Sequence, residues 1–72
     1  MRLFERYLIR RCEGTNEQYL CDDMVTFTTD IEDAWCDDDF RIALLVLDEQ
    51  SVKATIVRRW WWFGWHEEAV EI

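Results

Sequence analysis

Few residues in this 72-residue chain could do chemistry: one histidine, three cysteines, one serine and sixteen carboxylates. His66 stands in "GWHEEAVEI", where Glu67 and Glu68 could tune it as a proton carrier. HExxH, the spacing that puts two histidines on one helix face around a zinc ion, is absent, and the simpler reading of His66 is a surface residue. Cys12, Cys21 and Cys36 are odd in number and form no CxxC pair, so they read as reduced, partly buried thiols rather than a disulfide framework. With His66 they would make four zinc donors in number but not in spacing. Nothing in the sequence marks a cysteine as an activated nucleophile, and Ser51 in "DEQS" reads as a turn residue. Gly14 and Gly64 lie too far apart for GxGxxG or GxxxxGK[ST], which removes the usual phosphate-cradling loops. The expectation is a protein that is not an enzyme and carries no metal or cofactor.

The carboxylates carry the strongest signal. "DIEDAWCDDD" at 30–39 packs six acids into ten positions, but no glycine makes the sharp turn of an EF-hand loop. Residues 1–12 hold four arginines against Glu5, whereas residues 13–39 hold ten acids and no Lys or Arg. Such a span projects a negative field that repels nucleic acid and attracts basic protein surfaces. Duplex DNA presents about one charge per 1.7 Å of axis, and carboxylates held rigidly could imitate that row. Asp22, Asp23, Asp30, Glu32, Asp33, Asp37, Asp38 and Asp39 are the candidate partner-binding face, set against the plainer reading that they keep the chain dissolved. The expected partner is a protein with a basic surface, with no direct binding to nucleic acid or membrane.

A second candidate surface is "WWWFGW" at 60–65, four tryptophans and a phenylalanine in six positions. Read as one strand, Trp60 and Trp62 would share one face, and Trp61, Phe63 and Trp65 the other. One face would enter the core. The other would rival the largest apolar patch of a typical monomer, about 300–600 Å², and would need a helix, a second copy or a partner to cover it. A homodimer built on these residues is the alternative function, and a run wholly consumed by the core is the structural alternative.

In size, acidity, aromatic richness and lack of catalytic motifs, the chain resembles small acidic proteins encoded by bacteriophages, including anti-CRISPR proteins and DNA mimics. That resemblance implies an inhibitor that blocks a host defence or nucleic-acid-processing protein in the host cytoplasm.

The elements that would position these residues must come from a single small domain, one that buries only about 60% of its unfolded surface. The N-terminus "MRLFERYLIRRC" lacks the apolar centre of a signal peptide, and no apolar run reaches membrane-spanning length, so a soluble cytoplasmic protein is expected. Residues 3–12 read as a strand, because a helix would stack Arg2, Arg6 and Arg10 as like charges. "EGTNE" is turn chemistry, and "QYLCDDMVTFTT" supplies strand formers interrupted near Asp22 and Asp23. Thr29 followed by Glu32 reads as a capping box opening a short helix that buries Ile31, Ala34 and Trp35. Phe40–Leu47 fits either a helix capped by the Asp37–Asp39 run or a strand paired through "DEQS" with "VKATIVRRWWW"; the reading leans to the hairpin. The sum is α+β: a small antiparallel β-sheet of about four strands, with one or two short helices packed on one face.

Overall fold

The computed structural model describes residues 3–13, 16–50 and 53–70. The described residues form an antiparallel sheet with one α-helix. Its strands are β1 (Leu3–Glu13), β2 (Asn16–Leu20), β3 (Phe27–Thr28), β4 (Thr55–Trp61) and β5 (Trp65–Val70), with helix α1 (Phe40–Asp48) between β3 and β4. The strand order is β3-β2-β1-β4-β5, so the chain spreads from a central β1 toward both edges. The expected count of about four strands is corrected to five. The interruption at Asp22 and Asp23 is a true hairpin turn that separates β2 from β3, and the aromatic run contains another.

β1 is long enough to serve two partners. Its first part pairs with β4 through Leu8↔Val57 and Ile9↔Ile56, and its last part pairs with β2, with Arg10 opposite both Tyr19 and Thr55. β4 therefore has β1 on one edge and β5 on the other, which leaves no edge for residues 40–47. That segment is helix, not the hairpin strand the sequence favours. Asp39 caps it by accepting from the Arg41 backbone N–H at 2.9 Å, and the Gln50 side chain donates to the Val46 carbonyl at its far end. Ala43 is fully buried, and Phe40, Leu44 and Leu47 pack beside it against the sheet, at the spacing a helix gives.

The core lies between α1 and the sheet. Ile9, Leu20, Trp35, Ala43 and Ile56 are its buried members. Burial of one such large apolar side chain is worth about 1.5–3 kcal/mol, so these few residues dominate the stability of so small a fold. On the opposite face Leu8, Val57 and Tyr19 are also buried, because alternation along β1, β2 and β4 sends neighbouring side chains to opposite sides.

The short helix expected after Thr29 is not formed. Only Ile31–Asp33 makes a single 3₁₀ turn, capped by Asp30 rather than Thr29, with Asp30 accepting from the Glu32 N–H at 3.0 Å. From Ala34 onward the backbone is extended because the sheet offers it better partners. The Trp35 N–H donates to the Leu20 carbonyl at 2.8 Å, and Tyr7 and Asp37 exchange backbone bonds at 2.8 and 3.1 Å. This segment fills the edge of β1 that β2 does not reach. Trp35 is thereby buried as expected, but from an extended segment, while Ile31 is half-buried and lies on the other face.

The expected turn at Gly14 and the loop role of Ser51 lie outside the described residues. No helix among the described residues is long and apolar enough to cross a membrane.

Candidate functional site: the aromatic end of the sheet and the acidic turns

Five of the eight candidate acids have local work. The Asp23 carboxylate accepts from the Val25 and Thr26 N–H groups at 2.9 Å each and from the Thr26 hydroxyl at 2.8 Å. These bonds, Thr26 foremost, hold the Asp23 carboxyl below its ordinary range because they favour the charged form. Asp30 and Asp39 are the two caps already described. Asp37 accepts from the Asp39 N–H at 2.8 Å, and Glu32 bonds the Arg59 guanidinium at 2.9 Å. Asp22, Asp33 and Asp38 are exposed. The antiparallel Cys21↔Ala34 bridge sets Asp22 and Asp33 beside each other, so two acidic turns meet at one place. Much of the acidic run is thus turn and cap chemistry, for which Asp is well suited.

The aromatic run is not one strand. Trp60 and Trp61 end β4, Trp62 to Gly64 form a tight turn, and Trp65 opens β5 directly opposite Trp61. Trp61 and Trp65 share a face as expected, though by pairing across a turn and not along one strand. The assignment of Trp62 to the face of Trp60 and of Phe63 to that of Trp61 is corrected, since Trp62 and Phe63 lie in the turn. Gly64 sits at φ 135°, open only to glycine, and it reverses the chain. None of the run belongs to the buried core. Trp60 and Trp61 are half-buried, whereas Trp62, Phe63 and Trp65 are exposed.

Two phenylalanines at this end adopt left-handed backbone: Phe63 at φ 52° in the turn and Phe4 at φ 54° in the β1 bulge between Leu3 and Arg6. That conformation costs a bulky residue about 1–2 kcal/mol. Neither gains burial by it, since Phe63 is 84% and Phe4 64% exposed. Their rings join a contiguous patch: Phe4 lies 6.5 Å from Trp65, and Phe63 lies 4.9 Å from Trp62 and 6.2 Å from Trp61. Together the four exposed rings present on the order of 500 Å² to solvent.

Beside the patch, on the face away from α1, runs an open groove of about 370 Å³. Leu8, Ala34 and Ile31 line it, and Arg6, Arg59, Glu32, Cys36, Phe4 and Trp65 complete it. The 3₁₀ turn thus carries Glu32 to the border of the aromatic patch.

Arg58 and Arg59 organise the charges of the β4–β5 hairpin. On the α1 face Arg58 contacts Glu5 at 3.5 Å and Glu68 at 3.4 Å. On the groove face Arg59 contacts Glu32 at 2.9 Å and Glu67 at 3.8 Å. His66, which could have been a base, stacks on Trp60 at 5.6 Å, and its Nε2 donates to the Trp62 carbonyl at 2.8 Å. Since a carbonyl only accepts, this bond fixes the proton on Nε2. Cys21 is half-buried and Cys36 exposed; the Cys12 side chain is outside the described residues. Among the described residues no cluster of His, Cys, Asp and Glu is placed to hold a metal ion.

Phe4, Arg58, Arg59 and the pair Glu67 and Glu68 are the site residues that sequence reasoning missed. Phe4 carries no local signal, because its bulge arises from pairing with β4. The hairpin was readable: "RRWWWFGWHEE" sets two arginines against two glutamates symmetrically about a glycine-bearing turn. Compared with protein-family models, with curated proteins and with solved structures, the chain has no match.

Proposed function

We propose that this chain is a non-enzymatic protein-binding module whose contact surface is the aromatic end of the sheet: Phe4, Trp62, Phe63 and Trp65. The observation that carries this reading is Phe63, held in a costly backbone conformation while 84% exposed. Strain that the fold does not use for its own packing is characteristic of functional surfaces. Exposed Trp and Phe clusters are the usual anchors of binding hot spots, and this patch is of the size that marks an interaction site on a small domain.

The acidic turns favour a basic partner. Asp22 and Asp33, exposed and adjacent, together with Asp38 would raise the association rate through long-range attraction. A basic nucleic-acid-binding surface, the target class of the phage-type inhibitors, fits that charge. In this reading the acids steer and the aromatics hold. A second copy of the chain docked patch to patch is the alternative occupant, which sedimentation of the purified protein separates.

The test is capture from a bacterial lysate at low and high salt by the immobilised chain. Phe63→Asn combined with Trp62→Ala is expected to abolish capture at both salts, while Asp22, Asp33 and Asp38 changed together to Asn should weaken it chiefly at low salt. Capture untouched by the aromatic pair overturns the reading.

A further inference from the structure

We infer that the outer edge of β5 is a docking site for an extended, basic segment of a partner protein, which adds to the sheet as a sixth strand. The inference rests on the reading of the chain as a protein-binding module and names the chemistry of the partner.

β5 is the edge strand next to β4, and no described residue pairs with its outer side. A strand edge carries a row of backbone donors and acceptors that template another strand. The opposite edge of the sheet, β3, is only two residues long and templates little. β5 runs for six residues, five of them exposed.

Charge decides what fits there. Two rows of charge converge on the β4–β5 hairpin, one on each face. The α1-face row crosses from β1, whereas the groove-face row starts on the 3₁₀ turn, because the β1 residue opposite Arg59 is Arg6. Glu5, Arg58 and Glu68 form the row on the α1 face, and Glu32, Arg59 and Glu67 form the row on the groove face. Each row alternates acid, base, acid, and each stops on β5 with a carboxylate at the open edge. Glu67 and Glu68 remain 41% and 50% exposed despite their arginine contacts, so each can accept a second cation. β4 presents adjacent arginines to the inner side of β5 in the register Arg58↔Glu68 and Arg59↔Glu67. A strand with two adjacent basic residues, laid antiparallel on the outer side, would repeat that register and extend both rows.

The same charges argue against a second copy at this edge. Antiparallel pairing of β5 with itself through this edge keeps each side chain on its own face, so the register must centre on a residue. Centred on Glu67 or on Glu68, it sets that glutamate against itself. Like charges directly opposite across strands are destabilising.

The probe is a short fluorescein-labelled Thr/Val peptide with a central Arg-Arg pair, titrated into the purified chain and followed by anisotropy. It should bind at least about tenfold more tightly than the same peptide with a central Glu-Glu pair. N-methylation of alternate peptide backbone nitrogens along one edge, which leaves the charge intact, should abolish binding, and methylation along the other edge should not. Glu67→Gln with Glu68→Gln should weaken binding about tenfold. Binding indifferent to backbone methylation on either edge would mean simple electrostatic adhesion and overturns the inference. Absence of binding overturns it too, whatever the fate of the aromatic patch. The outcomes separate cleanly from the preceding reading: lysate capture lost with Phe63→Asn and Trp62→Ala but no peptide bound sinks the edge site alone, and peptide bound with capture indifferent to the aromatics sinks the patch alone.

Discussion

The Arg59 guanidinium lies 4.2 Å from the centre of the Trp65 ring, and its Nη2 reaches Glu32 at 2.9 Å. One side chain on β4 therefore ties the start of β5 to the 3₁₀ turn across the groove. Arg59 is only 13% exposed, although Glu32 is 70% exposed, so its stem covers apolar surface while the ion pair stays wet.

Arg59→Ala is expected to lower stability by about 1–2 kcal/mol, most of it from the lost stack and stem packing, because an ion pair with so exposed a partner contributes little. Arg59→Lys should lose about half as much, since an ammonium keeps the charge but not the planar stack. Urea unfolding of both variants checks the order. A lysine variant as unstable as the alanine variant would show that planarity carries the whole contact.

Phe63→Asn should fold about as stably as the parent, within about 0.5 kcal/mol. Asparagine tolerates left-handed φ, so relief of about 1 kcal/mol of strain offsets the lost ring contacts with Trp61 and Trp62. Truncating an aromatic that served the core would cost about 3–5 kcal/mol, so thermal unfolding of this one variant separates the two roles.

Strand formers and turn residues located β1, β4 and the turn near Asp22 and Asp23 because those signals are local. What could not be read locally was the competition for edges. Phe40–Leu47 suits a strand as well as a helix until β1, some thirty residues earlier in the chain, takes the edge of β4 it would have used. Thr29 and Glu32 have the spacing of a capping box, yet Asp30 caps instead, because the residues that would continue the helix bond to Leu20 and Tyr7. For the site, the abundance of acids and aromatics was plain in the sequence. The division of the acids into caps and free carboxylates, and the recruitment of Phe4 by a bulge, follow from tertiary pairing.

That competition is measurable. Thr29→Ala should be nearly neutral, because Thr29 caps nothing, while Asp39→Ala should cost about 1 kcal/mol through loss of the α1 cap. Urea midpoints of the two variants decide it. Equal losses would mean that Thr29 acts as the cap its spacing proposes.

Asp23 gives the pH dependence. Its carboxyl titrates below the ordinary 3.8 in the folded chain because the Thr26 and Val25 N–H groups and the Thr26 hydroxyl stabilise its charged form. Between the folded and unfolded values the unfolded chain binds more protons, so stability rises with pH across that window. The contribution is complete above 3.8 and is lost as the pH falls through the lowered folded value. Asp23→Asn keeps an acceptor for the two N–H bonds but removes the charge and the second carboxylate oxygen. At neutral pH the variant should unfold at lower urea than the parent, and the difference should close as the solution is acidified through and below the carboxylate range. A difference that persists unchanged at low pH would mean that shape rather than charge holds the β2–β3 turn. Because Met24 in that turn also sits at a left-handed φ of 63°, loss of the carboxylate bonds should show first as fraying of β3, read by amide exchange at Phe27 and Thr28.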